Sequence, residues 1–440
     1  MIDQNGVRQG ALEIVRALQG RGFRALWAGG CVRDMLLGVE PKDYDIATNA
    51  DLREVVGIFP DAREVGVHFG VVVVRMRDHM YEIARFRRDV GYSDGRHPDR
   101  VVFTDEVEDA QRRDFTINGM FYDPISGTVL DYVGGQADLK RKLIRTIGDP
   151  KARFEEDRLR LLRAVRFGSR YHWPVETQTR MAIRALSGGI LTVSWERIRE
   201  ELGKILTEGG APLGMRYLID WGLMNHLIPE VMDLEGVAQP RQYHPEGDVL
   251  THTLMMLGLL ERPSVELAMA VLLHDIGKPR TFEMLDRIRF NNHTRVGTEM
   301  ADAICRRLRF SKEQTSHITS LVSEHHRFMH IREMRTSKLV RFLRDPFFSD
   351  HLALHRVDCL SSHGMLDNYW FCREQLGQLG PEKLRPVPLV TGHDLIALGY
   401  GPGPSFKGVL AAIEDAQIDG SVADESQAIA LAKRLLAQSV

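Results

Sequence analysis

Cysteine is scarce in this chain of 440 residues, and its four cysteines are scattered, with none in a CxxC pair. That spacing argues against both a zinc ribbon and a disulfide framework. No apolar run is long enough to cross a bilayer, and residues 1–10 lack the apolar core of a signal peptide. We therefore expect a cytoplasmic protein with reduced thiols and no membrane partner.

An excess of charge of one sign is also lacking, since 58 Lys and Arg oppose 60 Asp and Glu and leave a formal net charge of -2. Any contact with nucleic acid must therefore come from local basic patches and not from the field of the whole protein. The chain is 43% hydrophobic and 27% charged, which is typical of a globular protein. Its length predicts several domains and leaves the oligomeric state open.

Strand signals are confined to the first third of the chain. They cover, in order, residues 25–28, 43–47, 71–76 and 81–86. The polar segment 77–80 predicts a hairpin turn, and a short helix at 51–56 is expected to end at Gly57. Beyond about residue 138 helical periods dominate, and 12 of the 17 histidines follow residue 240. The pattern predicts a small head that contains a sheet, followed by a long helical remainder.

The triplet Asp43-Tyr44-Asp45 is the most informative local signal. On a strand, residues i and i+2 point to the same face, so the two carboxylates would lie side by side. Such a pair is costly without a cation, and two divalent ions about 3.5–4 Å apart suit in-line phosphoryl chemistry. Magnesium is the default ion because it prefers hard oxygen ligands. We interpret Asp43 and Asp45 as catalytic ligands of two Mg²⁺ ions, although a bare DxD also occurs as a polar turn.

A glycine pair lies just upstream, between a strand and a helix. Gly29 and Gly30 would present free backbone N–H groups and the positive end of a helix to phosphates. Arg33, on the first turn of that helix, can add charge-assisted hydrogen bonds to a triphosphate. The adjacent Asp34 is better placed to support the loop than to bind metal.

Residues 29–34 and 42–47 together resemble the GGxVRD and DxD signature of class II tRNA nucleotidyltransferases and the related bacterial poly(A) polymerases. That family belongs to the polymerase β-like nucleotidyltransferase superfamily. The resemblance implies an α+β fold, in which a head with a mixed or antiparallel sheet precedes an all-helical neck, body and tail. It also implies tRNA as a partner and CTP and ATP as substrates, so that C, C and A are added to a tRNA 3′ end without a nucleic-acid template.

Later motifs follow in the order that the resemblance predicts. Arg112, Asp114 and Asn118 match an RRDxxxN motif that the family uses for ribose recognition. Residues 131–145 resemble a hinge, and residues 194–206 resemble the fifth neck motif. Residues 156–160 resemble the EDxxR motif, whose Asp and Arg read the base of the incoming nucleotide.

The base-reading role of Asp157 and Arg160 also has a physical rationale. If the run opens a helix, the two side chains lie three residues apart on one face. Asp157 offers only acceptors and Arg160 only donors, which suits the edges of cytosine and adenine. Uracil and guanine would leave buried groups mispaired at a cost of about 1–3 kcal/mol each. A solvated ion pair is the plain alternative.

Two further features of the head leave alternatives open. Glu82, on the strand at 81–86, is either a third catalytic carboxylate or an exposed strand residue. Residues 89–100 align with a flexible loop that, in the family, helps the switch from C to A addition and is typically absent from CC-only enzymes. Residues 65–70 lack the paired basic residues that we associate with poly(A) polymerases, which weakens the poly(A) alternative.

Basic residues gather around the predicted neck. They are Lys140, Arg141, Lys142, Arg145, Arg153, Arg158, Arg163, Arg166 and Arg170. Arg163, Arg166 and Arg170 share a helix face. Beside a polymerase-like site we interpret this face as a contact for nucleotide or RNA, with a solvated face as the alternative. Arg163 and Arg166 are thus candidate nucleotide-binding residues.

A second constellation lies in the helical remainder. His252, His274, Asp275 and Asp358 occur in the order H…HD…D, and two imidazoles with two carboxylates suit a borderline divalent metal of unknown identity. The order resembles the HD phosphohydrolase superfamily, which implies phosphatase or phosphodiesterase activity on cyclic phosphates unless the site has lost it. Further candidates for a second ion are His293, His325 and His326, which surface or capping roles would also explain.

These signals predict four domains, listed here in chain order: a nucleotidyltransferase head at 1–139, a base-reading neck at 140–210, an HD-type body at 211–376 and a tail at 377–440. The leading hypothesis is a CCA-adding enzyme. An A-adding enzyme or a poly(A) polymerase is the alternative within the class. A metal-dependent phosphohydrolase and a non-catalytic RNA-binding module are the alternatives outside it.

Overall fold

The computed structural model describes residues 4–66, 70–91 and 99–437, and the chain divides into two compact units, Met1–Met232 and Asp233–Val440. Within the described ranges no helix is both long and apolar enough to cross a bilayer. All four cysteines are buried as free thiols. The chain divides at one position only, between Met232 and Asp233, so the four domains expected from the sequence remain a prediction.

The first unit opens with a mixed sheet. Its strands are β1 (Ala25–Ala28), β2 (Asp45–Thr48), β3 (Arg63–Gly66), β4 (Val71–Met76), β5 (His79–Arg85), β8 (Phe121–Asp123) and β9 (Thr128–Leu130), with β6 (Arg87–Val90) and β7 (Arg100–Phe103) forming a separate pair. The order in the sheet is β3-β4-β5-β2-β1-β8-β9, and only β2 and β5 run parallel. The predicted α+β fold with a mixed sheet is confirmed.

The first four helices alternate with the strands of this sheet, and the part of the first unit after β9 is helical. In chain order they are α1 (Gln4–Gly20), α2 (Gly30–Leu36), α3 (Leu52–Ile58), α4 (Glu106–Gln111), α5 (Gly135–Arg141), α6 (Pro150–Glu156), α7 (Arg160–Tyr171), α8 (Thr177–Leu186), α9 (Trp195–Thr207), α10 (Ala211–Asp220), α11 (Met224–Leu227) and α12 (Pro229–Met232). Helix α7 packs against α9 and α10, and α6 packs against α8. The buried face of α7 thus forms the centre of the helical part of this unit.

Local chemistry explains several boundaries. The turn between β4 and β5 has positive φ at both Arg77 and Asp78, the geometry of a two-residue hairpin turn. Helix α3 begins with a capping box between Asp51 and Glu54. The expectation that Gly57 ends this helix is wrong. The helix runs on to Ile58. Phe59 is extended because the proline that follows it, Pro60, disfavours helical geometry in the residue before it.

The second unit is almost entirely helical. Its elements are α13 (Val249–Leu259), α14 (Val265–Leu273), the hairpin β10 (Phe282–Met284) and β11 (Ile288–Phe290), α15 (His293–Arg307), α16 (Lys312–Glu324), α17 (Thr336–Leu343), α18 (Phe348–Ser361), α19 (Asp367–Gln378), α20 (Pro381–Leu384), α21 (Gly392–Ala397), α22 (Pro404–Ile418) and α23 (Glu425–Ala437). Helix α14 is buried from Leu267 to Leu273, so the helix and its C-terminal end lie in the interior of the unit.

The last helices of the second unit form their own apolar cluster around Leu395, Ile413 and Ala432. Ion pairs connect this cluster to α17, where Arg344 binds Glu414 at 2.6 Å. Asp419 also accepts a hydrogen bond from the backbone N–H of Ser337 at 2.8 Å. The tail is therefore fixed to the rest of its unit by charge as well as by apolar packing.

Candidate functional site

Two carboxylates meet where the parallel strands β2 and β5 lie side by side. Ile46 pairs with Ile83 in register, so Asp45 and Glu82, each one residue earlier, are neighbours across the two strands. Ile46 and Ile83 are buried, whereas Asp45 and Glu82 lie on the solvent-facing side. The alternation of a β-strand thus places both carboxylates on one face.

Asp43 lies before β2, and not within the strand as expected, because the strand begins at Asp45. Its carboxylate is nonetheless close enough to act on Asp45. Although solvent reaches Asp45, partial burial of the carboxyl group and the like charges of Asp43 and Glu82 raise its pKa to about 6. The guanidinium of Arg113 opposes this rise. Three carboxylates that repel one another are a suitable site for divalent cations.

The glycine pair lies at the start of α2, next to these carboxylates. Gly29 has φ 72°, a value that favours glycine, and a Cβ there would come within 2.9 Å of the Arg113 side chain. Its N–H donates to the carbonyl of Met120 at 3.2 Å. Gly30 is the first residue of α2. The backbone therefore needs Gly29 both for its dihedral angles and for the close approach of Arg113.

Arg33 is buried, and its guanidinium contacts both the head and helix α7. It donates to Asn118 Oδ1 at 2.6 Å and to Asp34 Oδ1 at 2.8 Å. It also lies over the rings of Phe167 and Tyr171, at 5.4 and 5.5 Å. Asp34 supports Arg33 in this way, as expected for a residue that organises the loop.

The network continues from Asn118 to Asp114. Asn118 donates to Asp114 Oδ1 at 3.1 Å, and Arg163 donates from α7 to Asp114 Oδ2 at 2.7 Å. Burial alone would raise the pKa of Asp114, but the charge of Arg163 and the hydrogen bond from Asn118 lower it to about 2. Arg112 and Arg113 share the buried carboxylate of Asp109, at 2.7 and 3.0 Å.

The structure places Asp157 and Arg160 on two different elements. Helix α6 ends at Glu156, Asp157 is extended at its C-terminal cap, and α7 begins at Arg160. The interpretation that both lie on one helix face is therefore wrong, because the helix is interrupted between them. Arg160 donates to the carbonyl of Arg112 at 3.0 Å, and Arg197 donates to Asp157 Oδ2 at 3.1 Å.

The arginines along α7 are each bound to a carboxylate. Arg163 pairs with Asp114, Arg166 with Glu201 at 2.8 Å, and Arg170 with Glu208 at 3.0 Å. Arg166 is also buried. The positive face expected from the sequence is therefore balanced from within the protein.

The predicted HD residues lie close together in the second unit. His252 comes from α13, His274 and Asp275 follow the end of α14, and Asp358 lies on α18. His252 Nε2 is 3.2 Å from Asp358 Oδ1, and His274 Nε2 is 3.0 Å from Asp275 Oδ2. Burial disfavours the charged form of His252, but hydrogen bonds with Asp358 and Glu246 raise its pKa to about 9.

Three further histidines surround Asp275. Asp275 Oδ1 lies 3.6 Å from His293 Nε2 and 3.8 Å from His325 Nε2, beyond hydrogen-bonding distance. In the described part of the chain, these three buried atoms have no hydrogen-bond partner. The ligand atoms of His293, His325 and His326 lie within 4.8 Å of one another. Burial, followed by the charge of His293, lowers the pKa of His326 to about 4, which keeps the ring neutral as metal binding requires.

Backbone carbonyls orient these rings. The Nδ1 atoms of His274, His293 and His325 lie 2.7 to 2.8 Å from the carbonyls of Val271, Phe290 and Val322. A carbonyl can only accept, so each Nδ1 carries a hydrogen and each Nε2 is turned toward Asp275. The donor set of neutral imidazoles and a carboxylate fits a divalent transition metal.

A cavity of about 1300 Å³ opens onto this cluster. Lys278 lines it, with its ammonium group 2.6 Å from Asp275 Oδ2 and 2.7 Å from Gln239 Oε1. Gly277, just before it, lies against α15, where a Cβ would clash with the carbonyl of His293. The HD loop is thus held both by charge and by a close approach of two backbones.

Comparison with known families assigns both regions. Residues 25–145 match the family of the poly A polymerase head domain. Residues 174–234 match a probable RNA and SrmB-binding site of polymerase A, and residues 249–346 match the HD domain. The resemblance to tRNA nucleotidyltransferases and poly(A) polymerases, and to the HD superfamily, is confirmed.

Known relatives agree with this assignment. A CCA-adding enzyme of Geobacillus thermodenitrificans is 42% identical over 50% of this chain, which spans 54% of that protein, about half its length. One of Bacillus cereus is 29% identical over 95% of this chain and 96% of its own length. The crystal structure of the Bacillus stearothermophilus CCA-adding enzyme in complex with CTP superposes with a TM-score of 0.74, at 26% identity, over 100% of this chain and 99% of that one.

Sequence reasoning missed several residues of both sites. In the head domain they are Arg113, which was visible in the RRD motif, and Asp109, which binds both of that motif's arginines. In the HD domain they are Lys278, visible three residues after Asp275, and Glu246, whose contact with His252 no spacing rule would reveal. Residues 92–98, which belong to the segment 89–100 discussed above, and residues 67–69 lie outside the described residues.

Proposed function

We propose that this protein is a CCA-adding tRNA nucleotidyltransferase of the cytoplasm, which adds C, C and A to tRNA from CTP and ATP. The carboxylate cluster of Asp43, Asp45 and Glu82 beside the start of α2 is the observation that carries this proposal. The likeness to CCA-adding enzymes along the whole chain supports it. In this proposal the head at 1–139 transfers the nucleotide and the neck at 140–210 selects it. The HD-type body at 211–376 and the tail at 377–440 come after them in the chain.

The carboxylates fit a pair of magnesium ions, since burial and the like charges of Asp43 and Glu82 raise the pKa of Asp45, and bound cations would offset both effects. When bound, such ions supply Lewis-acid activation of the attacking 3′-hydroxyl and stabilise the leaving pyrophosphate. Asp43 and Asp45 would hold them, and Glu82 lies beside Asp45 as a third ligand or as an acceptor for the hydroxyl proton. Gly30, the first residue of α2, would orient the triphosphate through its N–H group, whereas the N–H of Gly29 is already bonded to Met120 and Gly29 supplies only the turn.

The nucleotide would be positioned between the head and the neck of the first unit. Arg112, Asp114 and Asn118 are proposed to orient the ribose, while Arg33, Arg163 and Arg166 hold this wall in place. Asp157 and Arg160 read the base from opposite sides of the break between α6 and α7. Each is fixed by its neighbours, which spares the site the entropy of ordering them at every turnover.

Three tRNA transcripts test this function. They end before CCA, after C and after CC, and each is incubated with Mg²⁺ and labelled CTP, ATP or both. We expect CCA on the shortest transcript, followed by termination. Addition of A to the CC-ended transcript alone would indicate an A-adding enzyme, a long adenosine ladder would indicate a poly(A) polymerase, and no incorporation would refute nucleotidyl transfer.

A second activity is proposed for the HD domain, namely metal-dependent hydrolysis of phosphoesters. The observation that favours it is the set of buried, unbonded atoms around Asp275, which a divalent metal would satisfy. His252, His274, Asp275 and Asp358 would hold one ion, and His293, His325 and His326 would hold a second. Lys278 borders the cavity and offers a positive charge to a phosphate.

Release of nitrophenol from bis(p-nitrophenyl) phosphate in Mn²⁺, Co²⁺ or Ni²⁺ tests the second activity. We expect turnover that Asp275→Asn abolishes and that Asp45→Asn leaves unchanged. Turnover that survives Asp275→Asn would exclude the HD domain as its source. The same Asp45→Asn protein, assayed with tRNA, separates the two proposals, because it should lose nucleotide addition only.

A further inference from the structure

The buried carboxylate of Glu246 contacts two histidines just before helix α13. Its Oε1 atom lies 2.7 Å from His252 Nδ1 and 2.9 Å from His244 Nδ1, and its side chain is only 3% exposed. Gly247, the next residue, has φ 128°, a conformation that other residues rarely adopt. The backbone is therefore shaped to bring this carboxylate under the first turns of α13.

The protonation of the pair follows from its surroundings. Both short contacts of Oε1, at 2.7 and 2.9 Å, join the carboxylate to ring nitrogens that can donate a hydrogen. An ionised carboxylate only accepts hydrogen bonds, and so Nδ1 of His252 must carry the hydrogen. The other ring nitrogen, Nε2, then faces Asp358 at 3.2 Å, on the side of the ring where the metal ligand lies.

His252 is held differently from the other ring ligands of the HD site. His274, His293 and His325 each donate Nδ1–H to a neutral backbone carbonyl. Among the described ligand candidates with an Nδ1 contact, His252 has a charged acceptor. A carboxylate makes the donating imidazole more electron-rich, and so a stronger metal ligand, than a carbonyl does.

Direct ligation of a metal by Glu246 fits the geometry less well. The separations of 2.7 and 2.9 Å are those of charge-assisted hydrogen bonds. The carboxylate also lies on the Nδ1 side of the His252 ring, whereas Asp358 lies on the Nε2 side. An ion shared with Asp358 would therefore have the ring between itself and Glu246.

We propose that Glu246 is a positioning residue of the HD metal site, which fixes the tautomer of His252 and strengthens it as a ligand through a buried carboxylate–imidazole hydrogen bond. This inference rests on the proposed metal site. His244 occupies the outer side of the carboxylate, at the wall of the cavity, and shields it from solvent.

The test measures Co²⁺ affinity in the full chain by the visible absorption of the bound ion. Every protein carries Asp45→Asn, so that the head contributes no metal site. The variants are Glu246→Gln, which keeps an acceptor without the charge, and Glu246→Leu, which removes both. The control is Glu299→Gln, an exposed glutamate of the same unit that pairs only with Arg295 on its own helix.

We expect Co²⁺ affinity to fall about 10- to 100-fold in the Leu variant and less in the Gln variant, with the control unchanged. The Gln variant should melt at the same temperature as its parent when metal-free, which separates positioning from general destabilisation. If the Leu variant misfolds, the Gln variant decides alone. Equal Co²⁺ affinity in all proteins would overturn the proposal. A Glu246 variant that binds one Co²⁺ ion fewer, but binds the remaining Co²⁺ as tightly as its parent, would also overturn it. A parent that binds no Co²⁺ would refute the metal site itself.

Discussion

The two candidate sites hold their charges in different ways. In the head domain, like-charged carboxylates lie together on the solvent-facing side of two strands, and burial together with the charges of Asp43 and Glu82 raises the pKa of Asp45 to about 6. In the HD domain, the rings of His274, His293 and His325 are buried, and the hydrogen bond of each Nδ1 fixes where each Nε2 points. The head site is therefore open to solvent, whereas the ring nitrogens of the HD site are held in place by their backbone partners.

The largest expected effect is a crossed loss of the two activities. Asp45→Asn should lower nucleotide addition at least about 100-fold, because it removes a ligand of both ions. Asp275→Asn should leave addition unchanged and abolish Co²⁺ binding in the second unit. Initial rates of labelled CTP incorporation and Co²⁺ titrations check this. Residual addition above a hundredth of the starting rate in the first variant would sink the two-metal assignment.

Base selection should respond next. Arg160→Ala should reduce discrimination against UTP and GTP by roughly 10- to 100-fold, since one or two mispaired groups cost about 1–3 kcal/mol each. Arg197→Ala should relax selection more weakly, because it frees Asp157 without removing a reading group. Arg184→Ala, on the exposed side of α8, is the control. Unchanged selectivity in the Arg160 variant would refute the template role.

The ion pair between head and neck should appear as a pH-dependent stability. The pKa of Asp114 in the folded state, about 2, lies below its usual 3.8, so the charged form stabilises the fold above pH 4. Asp114→Asn should therefore cost about 2 kcal/mol at pH 7. This difference should shrink as the pH falls from 4 to 2. Urea unfolding of both proteins at pH 7 and pH 3 measures it, and a cost that does not vary with pH would contradict the ionic origin.

The smallest effect has the opposite sign. The folded-state pKa of Asp45 is raised, so its contribution to stability is present at low pH and is lost as the pH rises through about 6. Asp45→Asn should thus stabilise the metal-free protein at pH 8, by on the order of 1 kcal/mol because solvent screens the charges. The gain should vanish near pH 3.5. Thermal melts in EDTA at both pH values test the sign, and a destabilised variant at pH 8 would reject it.

The sequence predicted the catalytic motifs better than their surroundings. The strand signal at 81–86 coincides with β5, where Glu82 is exposed between two buried residues, and the HD order brought together residues from three helices. Strands β8 and β9 were missed because three-residue strands have no period to detect. The break after Glu156 was missed because helical spacing continues across it in the sequence. Partners such as Asp109 and Glu246 become visible only when distant segments fold together.

The arginines of α7 have a consequence for how this unit would respond to salt. A free arginine that binds an RNA phosphate releases condensed counterions, and affinity then falls steeply with ionic strength. Arg163, Arg166 and Arg170 already have carboxylate partners. A phosphate arriving there would exchange one anion for another, so this helix would add little to the salt dependence of RNA binding. The exposed Lys140, Arg141 and Lys142 would supply most of that slope.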